Sequence, residues 1–139
     1  MPVSFRIQKS NGLVYVQYSG HIEMQDTRDI FARYLQHPDY APGQKHLVDF
    51  SQITGWDADY LELMAMQAEK AAAFLGHASQ TLIVYYAPNE LGRSIAQLAV
   101  NSWEPFPSVV PMVQDTREAA LSILGLDNTE ISRFLDQTA

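Results

Sequence analysis

The stretch Thr81 to Ala87, with Leu82-Ile83-Val84-Tyr85-Tyr86 at its centre, restricts this chain more than any other feature. A strand that is apolar on both of its alternating faces has to be covered on both, the situation of a central strand in a parallel sheet packed by helices. The flanking segments supply the rest of such a sheet. Val3, Phe5 and Ile7 alternate with polar residues, Asn11-Gly12 follows, and Leu13-Val14-Tyr15-Val16-Gln17-Tyr18 begins a second β-rich run whose pattern changes after Gly20. Those features predict a hairpin, because a tight turn needs the positive φ that Asn and Gly tolerate. Lys45 to Phe50 reads as a third strand. Val109 to Val113 reads as a fifth, placed at an edge because Pro111 cannot donate to a ladder.

Between these strands the period changes from two to about 3.6. Thr27, Ile30, Phe31, Tyr34 and Leu35 form the stripe of a first helix that Pro38 ends. Leu61, Met64, Ala65, Ala68, Ala72 and Leu75 mark a second, closed near Gly76. On this spacing Met64 faces the core and Met66 the surface. Pro88 and Asn89 open a third helix with Leu91, Ile95, Leu98 and Ser102 on one face. Asp115-Thr116-Arg117-Glu118 resembles a capping box before Ala119, Ala120, Ile123 and Leu124, with Gly125 as the stop. Asp127 or Asn128 caps a last helix bearing Ile131, Phe134 and Leu135. The fold class that follows is α/β: an N-terminal β-hairpin, then repeated helix-strand units in a mostly parallel five-stranded sheet, one domain over residues 1–139. If every helix lay on one face, a second copy of the chain would be needed to cover the other.

Composition removes several functions. A formal charge of -7 leaves no basic surface for phosphates, which argues against nucleic acid and anionic lipid as partners. The absence of cysteine rules out disulfides, thiolate zinc sites and thiol catalysis, and fits a reducing compartment. The first residues lack a signal-peptide pattern, and no apolar run is long enough to span a membrane, so a cytoplasmic location is expected. His21, His37, His46 and His77 show no metal-binding spacing, and there is no GxSxG, GxxxxGK[ST] or GxGxxG motif, so no cofactor or metal is expected. His46, Asp49 and Ser51 make a poor catalytic set, because neighbouring strand positions point to opposite faces. The reading is a non-enzymatic one.

The segment Leu47-Val48-Asp49-Phe50-Ser51-Gln52-Ile53-Thr54-Gly55-Trp56-Asp57-Ala58-Asp59, with the order of elements, resembles the anti-sigma-factor antagonist family, the STAS or SpoIIAA-like fold. Asp49, Ser51 and Asp57 stand at that family's spacing of a strand ending in Asp-hydrophobic-Ser and an Asp that opens the next helix. Where switched members carry a phosphorylatable Ser, this chain has Ala58. The resemblance therefore implies the fold and partner or ligand binding, but not the phosphorylation cycle. The chain is also similar to uncharacterised bacterial stand-alone proteins grouped loosely with STAS and lipid-binding CRAL-TRIO-like domains.

In a parallel sheet the strand C-termini and helix N-termini share one rim, where backbone N–H groups point outward. That rim gathers Asp49, Ser51, Thr54, Trp56 and Asp57, then Tyr86, Asn89 and Arg93, and finally Gln114 and Asp115. Each has a plainer role. Asp57, Asn89 and Asp115 read as helix N-caps, Asp49 as an acceptor for the loop backbone, Arg93 as a partner of Glu90, and Trp56 as either a core plug or a contact anchor. The leading function is an interaction or regulatory module that binds a protein partner or itself. The alternative is a binding protein or sensor for a small amphipathic or anionic ligand held near Trp56, Tyr86 and Arg93.

Overall fold

The computed structural model describes residues 2–57, 60–74, 80–126 and 128–136. Strands β1 (Val3–Gln8), β2 (Leu13–Glu23), β3 (Lys45–Asp57), β4 (Thr81–Tyr86) and β5 (Val109–Gln114) lie in the order β1-β2-β3-β4-β5. The β1–β2 pair is antiparallel and the other three pairs are parallel. Helices α1 (Met24–Leu35), α2 (Tyr60–Phe74) and α3 (Glu90–Ser102) are the crossovers, and α4 (Arg117–Ile123) and α5 (Asn128–Asp136) follow β5. A sheet that always grows in the same direction, through connections of one hand, collects its crossover helices on one face. On that face Tyr18, Val48, Phe50, Ile83 and Tyr85 of the sheet pack with Ile30, Ala71, Ile95, Ala96 and Ala99 of the helices. The opposite face presents Leu13, Tyr15, Leu47 and Val84, and α4 and α5 cover it with Ala120, Leu121, Ile131 and Leu135. The chain itself thus meets the need that patterning assigned to a second copy.

Arg6 of β1 fastens α5 in place. Its guanidinium donates to the carbonyls of Phe134 and Leu135, satisfying acceptors in the last turn of the helix. The same group lies 5.3 Å from the Tyr15 ring centroid and 4.9 Å from that of Phe134.

Several elements depart from the sequence reading. The hairpin connection is not a two-residue turn but the four residues between the paired Gln8 and Leu13, a 3-10 turn over Lys9–Asn11 closed by Gly12 at φ 60. Strand β2 continues past Gly20 and β3 well past Phe50, pairing from Ser19–Gln52 to Glu23–Asp57 with register shifts that Gly20, at φ 74, accommodates. The residues after Phe50 taken as a loop are therefore strand. Asp57 is the last residue of β3, and Ala58, Asp59, Leu75, Gly76, His77 and Asp127 lie outside the described residues.

The second helix is turned relative to the expected stripe. Leu63, Met66, Gln67 and Ala71 face inward, Leu61 is 81% exposed, and Met66 rather than Met64 is core. The reason is chemical: the inward face carries a glutamine and the stem of Lys70, so polarity marks the wrong side. In α3, Ile95 and Ser102 point inward as expected, but Leu91 and Leu98 do not. Gly92, Ala96 and Ala99 take their places and let the helix approach the sheet closely. A Cβ on Gly92 would stand 3.2 Å from the Phe50 carbonyl and 3.0 Å from Asn89 Oδ1. Thr116, not Asp115, caps α4 by accepting from Ala119 N at 3.1 Å.

Two outcomes follow from this packing. Gly92→Ala should lower unfolding free energy by about 1–3 kcal/mol in urea titrations, since β3 backbone cannot yield cheaply; unchanged stability would contradict the close approach. His46, 6% exposed on β3, is held neutral by burial and, secondarily, by the charge of Lys70, which together bring its pKa down to about 3. Because the unfolded chain takes up that proton near pH 6.5 and the folded chain does not, stability falls as pH drops through this window. Between about pH 7.5 and 5 the loss due to His46 is about 2 kcal/mol, and His46→Met should abolish that part of the slope.

Candidate functional site

The rim expected from topology exists in part. Asn89 caps α3, accepting from Gly92 N at 2.7 Å, and its Nδ2 donates to the Ser51 carbonyl at 3.2 Å. Ala87 N donates to the Gln114 carbonyl at 2.9 Å, and Asp49, Tyr86 and Gln114 are aligned across β3, β4 and β5. Ser51, Asn89 and the residues leading to Asp115 therefore share one edge.

Their bonding there is internal. Asp49, 7% exposed, accepts from Ser51 N at 2.8 Å through Oδ1 and from the Tyr15 hydroxyl at 2.6 Å through Oδ2. Two donors satisfy this buried carboxylate and make it a brace between β2 and the turn of β3 toward the rim. Burial, together with the Asp49 charge, pushes the Tyr15 hydroxyl well above its ordinary acidity range, so it stays a donor. Burial and then Asp49 also raise the pKa of Tyr86. Arg93 is exposed and donates to the Pro88 carbonyl at 3.2 Å instead of pairing with Glu90.

The trio of Trp56, Tyr86 and Arg93 does not converge on a ligand. Trp56 packs on the crossover-helix face with Met24, Leu63 and Met66, whereas Tyr86 packs on the α4–α5 face. Sequence reasoning placed both near one edge but could not give the side of the sheet, because the shifts in β2 and β3 alter the alternation. Thr54 and Asp57 are exposed on the strand extension, where Asp57 Oδ2 lies 3.1 Å from His21 Nε2. Gly55 makes room for that histidine, since a Cβ there would fall 2.9 Å from His21 Nδ1.

Interior space lies elsewhere, between the sheet and the roof formed by α1 and α2. A cavity of about 60 Å³ is walled by Phe5, Val14, Val16, Val48 and Ile83 below and by Thr27, Ile30, Phe31, Tyr34 and Lys70 above. A second, of about 40 Å³, runs toward Trp56, Met24, Leu63 and Met66. Tyr18, Thr27, Lys70 and Tyr85 line both, so they mark the junction of the two compartments. The larger space could hold several water molecules at about 10–15 Å³ each.

The polar groups at this junction are few and mostly committed. Tyr18 OH and Thr27 Oγ1 are 3.2 Å apart, and burial pushes the Tyr18 hydroxyl up to about 12. The Tyr85 hydroxyl, its acidity suppressed chiefly by burial, accepts from Trp103 Nε1 at 2.9 Å. Tyr34 closes the far end: its hydroxyl donates to Gln44 Oε1 at 2.6 Å, and its ring meets those of Phe5, Tyr40 and His46 edge-on. Gln67 donates to Ser102 Oγ at 3.0 Å, while its buried Oε1 has no hydrogen-bond partner among the described residues.

Lys70 differs from these. Its Nζ stands 5.5 Å from the Phe31 ring centroid, and among the described residues no carboxylate lies within ion-pair distance of it; the adjacent Glu69 turns to Arg28 at 3.7 Å. Burial without a counter-ion lowers its pKa to about 8. Sequence patterning gave no signal for it, because a lysine on an amphipathic helix reads as solvated surface. Among the described residues no group of three or more His, Asp or Glu side chains could hold a metal ion, and no helix is long and apolar enough to cross a membrane.

No family model matches the sequence, and no curated protein matches it. Among solved structures, the chain is similar to an uncharacterised DUF3478-family protein from Shewanella loihica PV-4, described as having a SpoIIAA-like fold. The two superpose with a TM-score of 0.53 at 13% identity, covering 88% of this chain and 91% of that chain. A likeness at that identity concerns architecture alone, and the architecture of this chain is SpoIIAA-like.

Proposed function

We propose that this protein is a non-enzymatic binding module for a small amphipathic anion, whose apolar part occupies the space between the sheet and the α1–α2 roof. The single observation that carries this reading is Lys70, a cation facing an apolar two-part cavity with no acidic partner among the described residues. Lys70 is half-buried, and a partly desolvated charge without a counter-ion is costly, a cost that an incoming carboxylate or phosphate would relieve. The aromatic and aliphatic walls accept a short chain, and the Tyr18–Thr27 hydroxyl pair offers further polar contacts near the head group. The rim residues Asp49, Ser51 and Asn89 serve this site indirectly, by fixing the strands that form its floor. Partner binding through the rim has less support, because its polar groups are spent on one another.

Isothermal titration with hexanoate tests the reading. Wild-type protein should bind one equivalent, and Lys70→Met should weaken binding about ten- to a hundredfold while keeping the fold. Equal binding by the two proteins would refute a role for Lys70 in holding the anion.

A further inference from the structure

We infer that Lys70 is also a site of covalent capture, where its amine condenses with an aldehyde borne on a short apolar chain to form an imine inside the cavity. This rests on the reading above that the space admits such a chain, and it adds a reaction to it.

Three independent features point to Lys70. First, Lys70 lines both compartments, and its Nζ stands over the Phe31 ring that walls the larger one. Second, among the described residues no carboxylate fixes the nitrogen as an ammonium ion; its near neighbour is the Phe31 ring. Burial draws the amine's pKa down to about 8, so a substantial fraction is neutral and nucleophilic near neutrality. Third, Tyr18 OH and Thr27 Oγ1, 3.2 Å apart, line the same two compartments and can relay a proton to a carbonyl oxygen.

The chemistry balances without an added oxidant or reductant. The nitrogen lone pair forms a C–N bond to the carbonyl carbon, the carbonyl π bond breaks, and its oxygen takes a proton. The resulting carbinolamine then loses that hydroxyl with a proton from nitrogen as water, leaving C=N. One aldehyde enters and one water leaves. Apolar walls favour the dehydrated product by disfavouring the return of that water.

The test uses the whole protein, hexanal and cyanoborohydride, which reduces an imine to a stable secondary amine. The chain has only three lysines, Lys9, Lys45 and Lys70, so peptide mapping resolves the outcome. At about pH 7.5 the adduct on Lys70 should exceed those on Lys9 and Lys45 by at least about tenfold, and hexanoate should suppress it. Lys9→Arg and Lys45→Arg should leave the adduct on Lys70 unchanged, and loss of that adduct in either variant would count against capture at Lys70. Equal labelling of the three lysines, or none, overturns covalent capture. If hexanal displaces hexanoate but cannot be trapped, the imine fails and the cavity reading stands; if neither compound binds, both fail.

Discussion

The structure depends on covering a sheet whose central strands are apolar on both sides. Val84 of β4 is fully buried against α4 and α5, while its neighbours Ile83 and Tyr85 are buried beneath the crossover helices. Crossovers that always advance in one direction deliver α1, α2 and α3 to a single face. The chain therefore needs α4 and α5 after its last strand, and Arg6 ties α5 back to the first one. The Asp49–Tyr15 hydrogen bond lies beneath this second layer and joins β2 to β3 where the strands begin to depart from simple alternation.

Covering the two faces produces different interiors. The α4–α5 side is packed with leucine, alanine and isoleucine, whereas the α1–α2 side is walled partly by aromatic rings and leaves two spaces that share part of their lining. Gln67 and Lys70 enter that side because α2 turns a polar stripe inward, and Tyr18, Tyr34 and Tyr85 add hydroxyls from the sheet and α1. A helix that buries Gln67 and most of Lys70 gives up some of its own stability. Such a sacrifice makes physical sense where the polar groups meet something that the folded chain alone does not supply.

Much of the fold was legible in the sequence. Alternation in β1 and short β-rich or apolar runs elsewhere located all five strands, β4 was recognised as central from its two apolar faces, and Asn89 was read as the cap it proves to be. The rim shared by Ser51 and Asn89 followed from parallel topology. Failures have specific causes. The extension of β3 through Trp56 was hidden by Thr54 and Gly55, residues that read as loop; only pairing with Ser19–Glu23 makes them strand. The faces of α2 and α3 were misjudged because alanine and glycine carry little directional signal, leaving Leu61, Leu91 and Leu98 to suggest an inward stripe they do not form. Lys70 could not be found by pattern, since its significance lies in what surrounds it.

Surroundings, then, are what the functional account must be judged on. With three lysines in the chain, labelled-lysine NMR can follow each side chain separately through a pH titration. One resonance, assigned by its loss in Lys70→Met, should titrate near 8, and hexanoate should move that midpoint upward by stabilising the ammonium form. If the Lys70 resonance titrates at the ordinary lysine value, or if hexanoate leaves the low midpoint where it was, Lys70 does not face a cavity that receives an anion.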